Sequence, residues 1–124
     1  MRQNLRLLVT GSRTWDDTRA IDPALAVILA RHPEGVLLVH GACRRGADAI
    51  AAAYAAHTPG YRTEAHPASW HRHGRTAGHL RNAEMVGLGA DGCVAFLRGV
   101  SPGTAATVRL APAAGIPVWL YRQP

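Results

Sequence analysis

Leu5-Arg6-Leu7-Leu8-Val9-Thr10-Gly11-Ser12-Arg13 is a short apolar run that ends on a glycine, a hydroxyl and a guanidinium, and it decides how the rest of the chain is read. Three more glycine-bearing stretches stand between an apolar run and a helical one: Gly41 to Asp48, Gly74 to Asn82 and Gly99 to Thr104. In an open parallel sheet the loops leaving the carboxyl ends of the strands gather along one edge, where the following helices aim their N-terminal amides. Three of these loops also carry arginine. The repeated pattern describes a phosphate-binding rim, and a nucleotide or other phosphorylated small molecule is the first ligand to consider.

The alternation holds along the chain. Thr18 to Arg31 places Ile21, Leu25, Ile28 and Leu29 on one helical face, with Pro23 tolerable only near the first turn. Val36 to His40 repeats the strand pattern, and Ala47 to Ala56 is an alanine-rich helix whose small side chains allow close packing on a sheet. Tyr61 to His66 alternates weakly as a third strand, and Pro67 to Gly78, polar and holding two glycines, reads as a long loop. A third helix is expected from about Leu80 to Leu88 and a fourth strand from Gly92 to Phe96. A fourth helix follows from Thr104 to Ala114, ended or bent early by Pro112, and a fifth strand from Pro117 to Tyr121. Five strands joined by four helices demand parallel pairing through right-handed crossovers. The expected architecture is α/β, a Rossmann-like three-layer sandwich of five parallel strands in the order 3-2-1-4-5 with helices on both faces. Its switch point falls between strands one and four, so the loops after Thr10 and Phe96 flank the main crevice.

A chain of 124 residues, 48% hydrophobic and 18% charged, is the size of one compact domain. Its apolar runs break well before the roughly 20 residues that cross a bilayer. Met1 to Asn4 leads into a strand rather than a secretion signal, so a soluble, cytoplasmic protein without a membrane partner is expected. Cys43 and Cys93 match no CxxC spacing and read as free thiols, Cys93 buried in a strand. No cofactor is expected; the G-x-G-x-x-G dinucleotide fingerprint is absent, and Gly11-Ser12-Arg13 is a weak signal alone. No metal is expected either, because His71 and His73 lack a third ligand nearby. The net charge of +6 rests on arginine with no lysine, and it is dispersed apart from Arg44-Arg45 and the stretch Arg72 to Arg81. Dispersed charge is weak ground for specific nucleic-acid binding.

The rim residues have definite uses. Gly11 gives a backbone that a ligand can approach, Ser12 a hydroxyl donor and Arg13 a guanidinium that grips phosphate through two bonds. In the second loop Gly41 and Gly46 flank Arg44 and Arg45, with Arg44 a phosphate candidate. Asp48 enters the first turn of the next helix, where a carboxylate also complements the dipole. Trp70 can stack on a base and Arg75 can bind phosphate. Arg81, Asn82 and Glu84 fall within one helical turn shortly after Gly78, spaced to face a ribose or its glycosidic bond. Gly103 and Thr104, with Ser101, offer amides and hydroxyls to an anion, or simply cap the fourth helix.

Taken in order, Val9-Thr10-Gly11-Ser12-Arg13, His40-Gly41, Gly46-Ala47-Asp48, Ala68-x-Trp70, Gly74-x-x-Ala77-Gly78, Arg81-Asn82-x-Glu84-Met85, Gly103-Thr104 and Ala114-Gly115-Ile116-Pro117-Val118 resemble the YspA-related branch of the SLOG superfamily, over nearly the whole chain. That superfamily has Rossmann-like domains. It includes the LOG enzymes, which hydrolyse nucleoside monophosphates to a base and ribose 5-phosphate, the DNA-processing protein DprA, and sensors of nucleotide-derived signals. The resemblance implies that Gly11, Ser12, Arg13, Gly41, Gly46 and Asp48 line or shape the pocket. It implies the same of Trp70, Gly78, Arg81, Asn82 and Glu84, and of Gly103 and Thr104. A homodimer through helix faces, as in LOG relatives, is also implied.

LOG enzymes carry Pro-Gly-Gly-x-Gly-Thr-x-x-Glu with a catalytic glutamate, whereas this chain reads Gly103-Thr104-Ala105-Ala106-Thr107, with Thr107 where that acid would stand. For glycosidic hydrolysis Glu84 becomes the acid to orient water or stabilise an oxocarbenium-like ribose, Asp48 the second, and Arg81 the group that holds the 5-phosphate. Three readings stand open at this point: a nucleotide-binding or sensing module, an N-glycosidic hydrolase of nucleoside phosphates, or a DNA binder in the manner of DprA. The last ranks lowest, since one small domain has little surface for a duplex.

Overall fold

A computed structural model describes residues 4–123. The elements run β1 (Leu5–Gly11), α1 (Thr18–Arg31), β2 (Val36–His40), α2 (Ala47–Ala56), β3 (Tyr61–Ala65), α3 (Trp70–His73), a 3-10 turn (Gly74–Thr76), α4 (Ala77–Leu88), β4 (Gly92–Arg98), α5 (Pro102–Ala113) and β5 (Val118–Gln123). All neighbouring strands pair in parallel, in the order β3-β2-β1-β4-β5 that the alternation predicted.

The central strand β1 is buried from both sides. Leu7 and Val9 pack with Ile21 and Leu25 of α1 and with Ala47, Ala51 and Ala55 of α2. Leu8 belongs to the opposite core, with Met85 and Val86 of α4 and Ala111 of α5. A strand covered on both faces needs an unbroken apolar run rather than alternation, which Leu7-Leu8-Val9 supplies. The fully buried alanines of α2 recur every four residues and so form one stripe that lies close to the sheet. Gly11 completes that fit, because a Cβ there would collide with the Cβ of Ala47.

Local sequence accounts for most element ends. The Asp17 carboxylate caps α1 by accepting from the Arg19 amide at 2.9 Å. Pro23 lies deeper in α1 than the first turn, but on an exposed face where water can take over the carbonyl its missing N–H leaves free. α5 starts at Pro102 rather than Thr104, because proline suits the first helical position, and it runs to Ala113 with Pro112 in its last turn. The segment 67–78 departs most from expectation. The amides of Arg72 and His73 both donate to the Ser69 carbonyl, at 3.1 and 2.9 Å, so a turn of helix forms where a loop was expected. Gly74, at φ +58, ends that turn, and the 3-10 turn feeds α4 from Ala77. Exposed, polar helical turns of this kind leave no hydrophobic period in the sequence. Among the described residues no helix is long and apolar enough to cross a membrane. Cys43 is half-buried and Cys93 buried, both as free thiols.

On the α4 side, Arg6 donates two hydrogen bonds to the Glu64 carboxylate, at 3.1 and 2.9 Å, and His66 Nε2 lies 2.7 Å from it. Arg6 first, then His66, holds the Glu64 carboxyl down to about 2. A depressed carboxyl stabilises the fold in full above its ordinary value of 4.5, and that contribution is lost as pH falls toward about 2. Solvent screening at this part-exposed pair keeps the effect within about 1 kcal/mol. Glu64→Gln should therefore flatten the acid leg of the stability curve between those pH values, and thermal melts with the same acid slope in both proteins would contradict the assignment.

Candidate functional site

At the switch point the carboxyl ends of β1 and β4 diverge into a crevice of about 350 Å³. Its frame is set by Ser12. The Ser12 amide donates to Phe96 O at 2.9 Å, continuing the ladder, and Ser12 Oγ donates to Arg98 O at 3.2 Å while accepting from Arg98 N at 2.9 Å. One buried hydroxyl thus clasps the two switch loops together, and its proton is engaged within the protein rather than offered to a ligand. The loop after β2 crosses beneath this clasp. Gly46 sits at φ +80 against the backbone of Ser12 and Arg13, and the Ala47 amide donates to Ser12 O at 3.2 Å.

Arg81 forms the floor. Nearly buried on α4, it donates from Nε to Asn82 Oδ1 at 2.7 Å and from Nη1 to Gly41 O and to His66 O, the latter at 3.3 Å. The bare backbone of Gly41 leaves room for it, since a Cβ there would strike the guanidinium and displace it. Asn82 reaches on to Gly103 O at 3.4 Å, so one polar chain joins the loop after β2, α4 and the start of α5. Arg81 Nη2 has no partner among the described residues and lies 3.9 Å from where a Cβ on Gly78 would stand. It is the fork's free arm.

Asp48 faces the same space from the first turn of α2, with its carboxylate accepting from the Gly41 amide at 2.9 Å. Burial raises its pKa above the usual carboxylate range, opposed by the Gly41 amide, by Arg81 and His40, and by the Cys43 thiol. Burial likewise lowers His40, whose Nδ1 accepts from the Ala42 amide at 3.1 Å. A carboxyl raised in the fold contributes most below its unfolded value and loses that contribution as pH rises through the raised one. Asp48→Asn keeps an oxygen for Gly41 and removes the buried charge. It should melt no lower than the parent at neutral pH, with any advantage shrinking as pH falls. A lower Tm at pH 7 would show that the ionised form is the stabilising one.

The outer wall is exposed. The Arg13 guanidinium stacks over the Trp70 ring, 5.3 Å from its centroid, and the ring's far edge lies 3.4 Å from where a Cβ on Gly78 would stand. Opposite, α5 presents its first turn. Pro102 has no N–H, the Ala105 amide donates to Ser101 O at 2.9 Å, and the Gly103 and Thr104 amides are first-turn donors without helical acceptors. Ser101 Oγ donates to Thr104 Oγ1 at 2.8 Å, which fixes that turn.

The sequence-predicted residues divide into two groups. Gly11, Ser12, Arg13, Asp48, Trp70 and Gly78 line the crevice, as do Arg81, Asn82, Gly103 and Thr104. Gly41 supports Arg81 from behind, Gly46 supports the loop crossing, and Arg44 borders an adjoining depression. Glu84 stands apart from the crevice walls on an exposed face of α4. At about 100° per residue it lies roughly 200° round the helix from Asn82. Thr107 is fully buried and donates to Gly103 O at 3.2 Å, so it braces the start of α5 from inside. The side chain of Arg75 lies outside the described residues. Cys43 and Val100 also line the crevice without having been singled out. Cys43 could have been found from its place in the Gly41–Asp48 loop; Val100 carries no signal beyond its position after β4.

The sequence profile of the YspA, cpYpsA-related SLOG family matches residues 5–73. The Gene 61 protein of Mycobacterium phage D29 is 49% identical over 117 residues, which cover 91% of this chain and 93% of that protein. No solved structure gives a significant match.

Proposed function

The chain belongs to the YspA, cpYpsA-related SLOG family, and from that premise we propose that it binds a nucleotide or nucleotide-derived phosphorylated ligand in the switch-point crevice, as a binding or sensing module. The observation that carries this reading is the convergence of two guanidiniums, Arg13 and the free arm of Arg81, with the unbonded amides at the start of α5 around one hollow. Phosphate oxygens fit those donors, charge-assisted at the arginines and dipole-favoured at the helix start. Trp70, 48% exposed at the mouth, supplies a stacking surface for a base. At about 350 Å³ the hollow has room for a small organic ligand.

Catalysis is the second reading, and one observation favours it: Asp48 is a buried carboxylate on the crevice wall. Glycosidic hydrolysis through Asp48 would use the ionised form to orient water or to stabilise positive charge growing on the ribose, with Arg81 on the phosphate. Glu84 is exposed on α4 and does not line the crevice, so Asp48 is the carboxylate placed for that task. A homodimer of the kind the resemblance implies has an apolar surface available in the groove between α1 and β5, where Val27, Trp119 and Tyr121 are exposed.

Thermal-shift screening of nucleoside mono-, di- and triphosphates, with chromatography for released base, tests both readings. A ligand at about 100 times its Kd should stabilise the fold by about 2.7 kcal/mol. Release of free base that is lost in Asp48→Asn identifies the hydrolase. A shift without release identifies the binding module, and no shift with any compound rejects the nucleotide reading. Arg13→Ala separates binding from folding. The side chain is exposed and stacks only on Trp70, so Tm should hold within about 2 °C of the parent, while affinity should fall by about 1.5 to 3 kcal/mol. Equal affinity in calorimetric titrations would remove Arg13 from the phosphate site.

A further inference from the structure

Resting on the nucleotide reading of the crevice, we infer that the ligand is bipartite: two nucleosides joined by a pyrophosphate, the first in the crevice and the second in a depression beside it. That depression, of about 720 Å³, lies between the Gly41–Arg45 loop and Pro67-Ala68. The two hollows meet along Arg13, Cys43, Trp70 and Arg81, which line both. They form one trough with a waist.

The chemistry of the waist selects the middle of the ligand. Arg13 and Arg81 bring two guanidiniums to it, and the free arm of Arg81 faces the Gly78 and Trp70 side. A pyrophosphate carries acceptor oxygens on two adjacent phosphorus atoms, so one phosphate can engage the Arg13 fork while the other takes the free arm of Arg81. Trp70 stands between the hollows, so a base on either side can reach its ring edge or replace Arg13 on its face.

Beyond the waist the second hollow joins a basic edge to small apolar side chains. Arg44 and Arg45 border it, both exposed, and neither makes a hydrogen bond or ion pair with another described residue. A mononucleotide seated in the crevice would leave that floor empty. A second nucleoside extends the ligand across it, with ribose hydroxyls and base acceptors for the two arginines. The small side chain of Ala68 leaves room there.

Isothermal titration of the full chain with AMP, ADP and diadenosine pyrophosphate tests this, with the corresponding guanine set and a single-stranded trinucleotide alongside. Binding of diadenosine pyrophosphate about tenfold or more tighter than ADP, which has the same bridge and no second nucleoside, is the expected result. The ratio of the two affinities should fall toward unity both in Arg44→Ala/Arg45→Ala, which removes charge, and in Ala68→Trp, which fills the second hollow. ADP and the dinucleotide binding within about threefold of each other, or a ratio unmoved by both variants, overturns the inference while leaving the crevice reading intact. Affinity that simply climbs with phosphate count, strongest for the trinucleotide and lost at moderate salt, also overturns it in favour of an unspecific basic groove. No binding by any nucleotide rejects the crevice reading itself.

Discussion

Arg81→Ala should lower the stability of the protein by about 3 kcal/mol or more, well beyond the loss expected of an exposed arginine. The guanidinium bonds Gly41 O and Asn82 Oδ1, both buried bonds, and the part-buried His66 O. Truncation leaves each of them short of a donor, at about 1 to 3 kcal/mol for a buried group left unsatisfied, and opens the space under Gly41. It also removes a cation that opposes the raised pKa of Asp48, so that carboxyl should rise further. Urea unfolding gives the direct measure, and Arg81→Lys is the control, keeping the charge but offering one ammonium where the fork serves three acceptors. A loss below about 1 kcal/mol in Arg81→Ala would mean that water replaces the fork at little cost. Loss of ligand in this variant must therefore be read beside its unfolding curve, whereas the exposed Arg13 can be read alone.

Gly46→Ala should be nearly as severe, for a reason confined to the backbone. Position 46 holds φ +80, and a Cβ there would lie 2.5 Å from Arg13 Cα and 2.7 Å from Arg13 C, with Ser12 O closer still. With ψ −157 this is the extended, essentially glycine-only region of positive φ, which costs an L-residue about 1 to 3 kcal/mol, and overpacking typically adds another 1 to 3, so a combined loss of about 3 kcal/mol or more is expected. Gly74→Ala isolates the first part, since that residue sits at φ +58 with nothing within 4 Å of its would-be Cβ. The Gly74 variant should lose only the conformational fraction. Equal losses in the two variants, measured by denaturant unfolding, would show that the loop crossing at Gly46 relaxes freely.

The fold was legible because the strands bury both faces. Leu7-Leu8-Val9, Val36 to Val39 and Gly92 to Phe96 are unbroken apolar runs, and each is followed by glycine before the next helix. Parallel pairing followed from the length of the connections and their right-handed crossovers, and the order 3-2-1-4-5 from the Rossmann-like arrangement those imply. The crevice was legible for the same reason, since topology fixes which loops share an edge. What escaped the sequence depends on side-chain direction. Arg81 and Glu84 belong to one turn and lie only about 60° apart round the helix, yet Glu84 is exposed and stays off the walls of the crevice that Arg81 floors. Ser12 was read as a ligand donor because residue type cannot show that Arg98 already occupies its hydroxyl. Among the described side chains at 70–76 none is buried, hence there is no apolar period to find.

The clasp made by Ser12 also bears on how fast and how selectively a ligand can be taken up. Both switch loops are held to one separation by reciprocal bonds through a single hydroxyl, with the β1–β4 ladder running directly into them. That half of the receptor is a fixed gauge: an arriving molecule meets a set spacing between the β1 loop and the start of α5, and little ordering entropy remains to be lost there. Under the proposed reading, adjustment falls to side chains rather than to that backbone, with the Arg13 guanidinium sliding off Trp70 or sharing it. A ligand taken up there would meet a backbone spacing set by one serine and a wall whose movable part is a stacked side-chain pair.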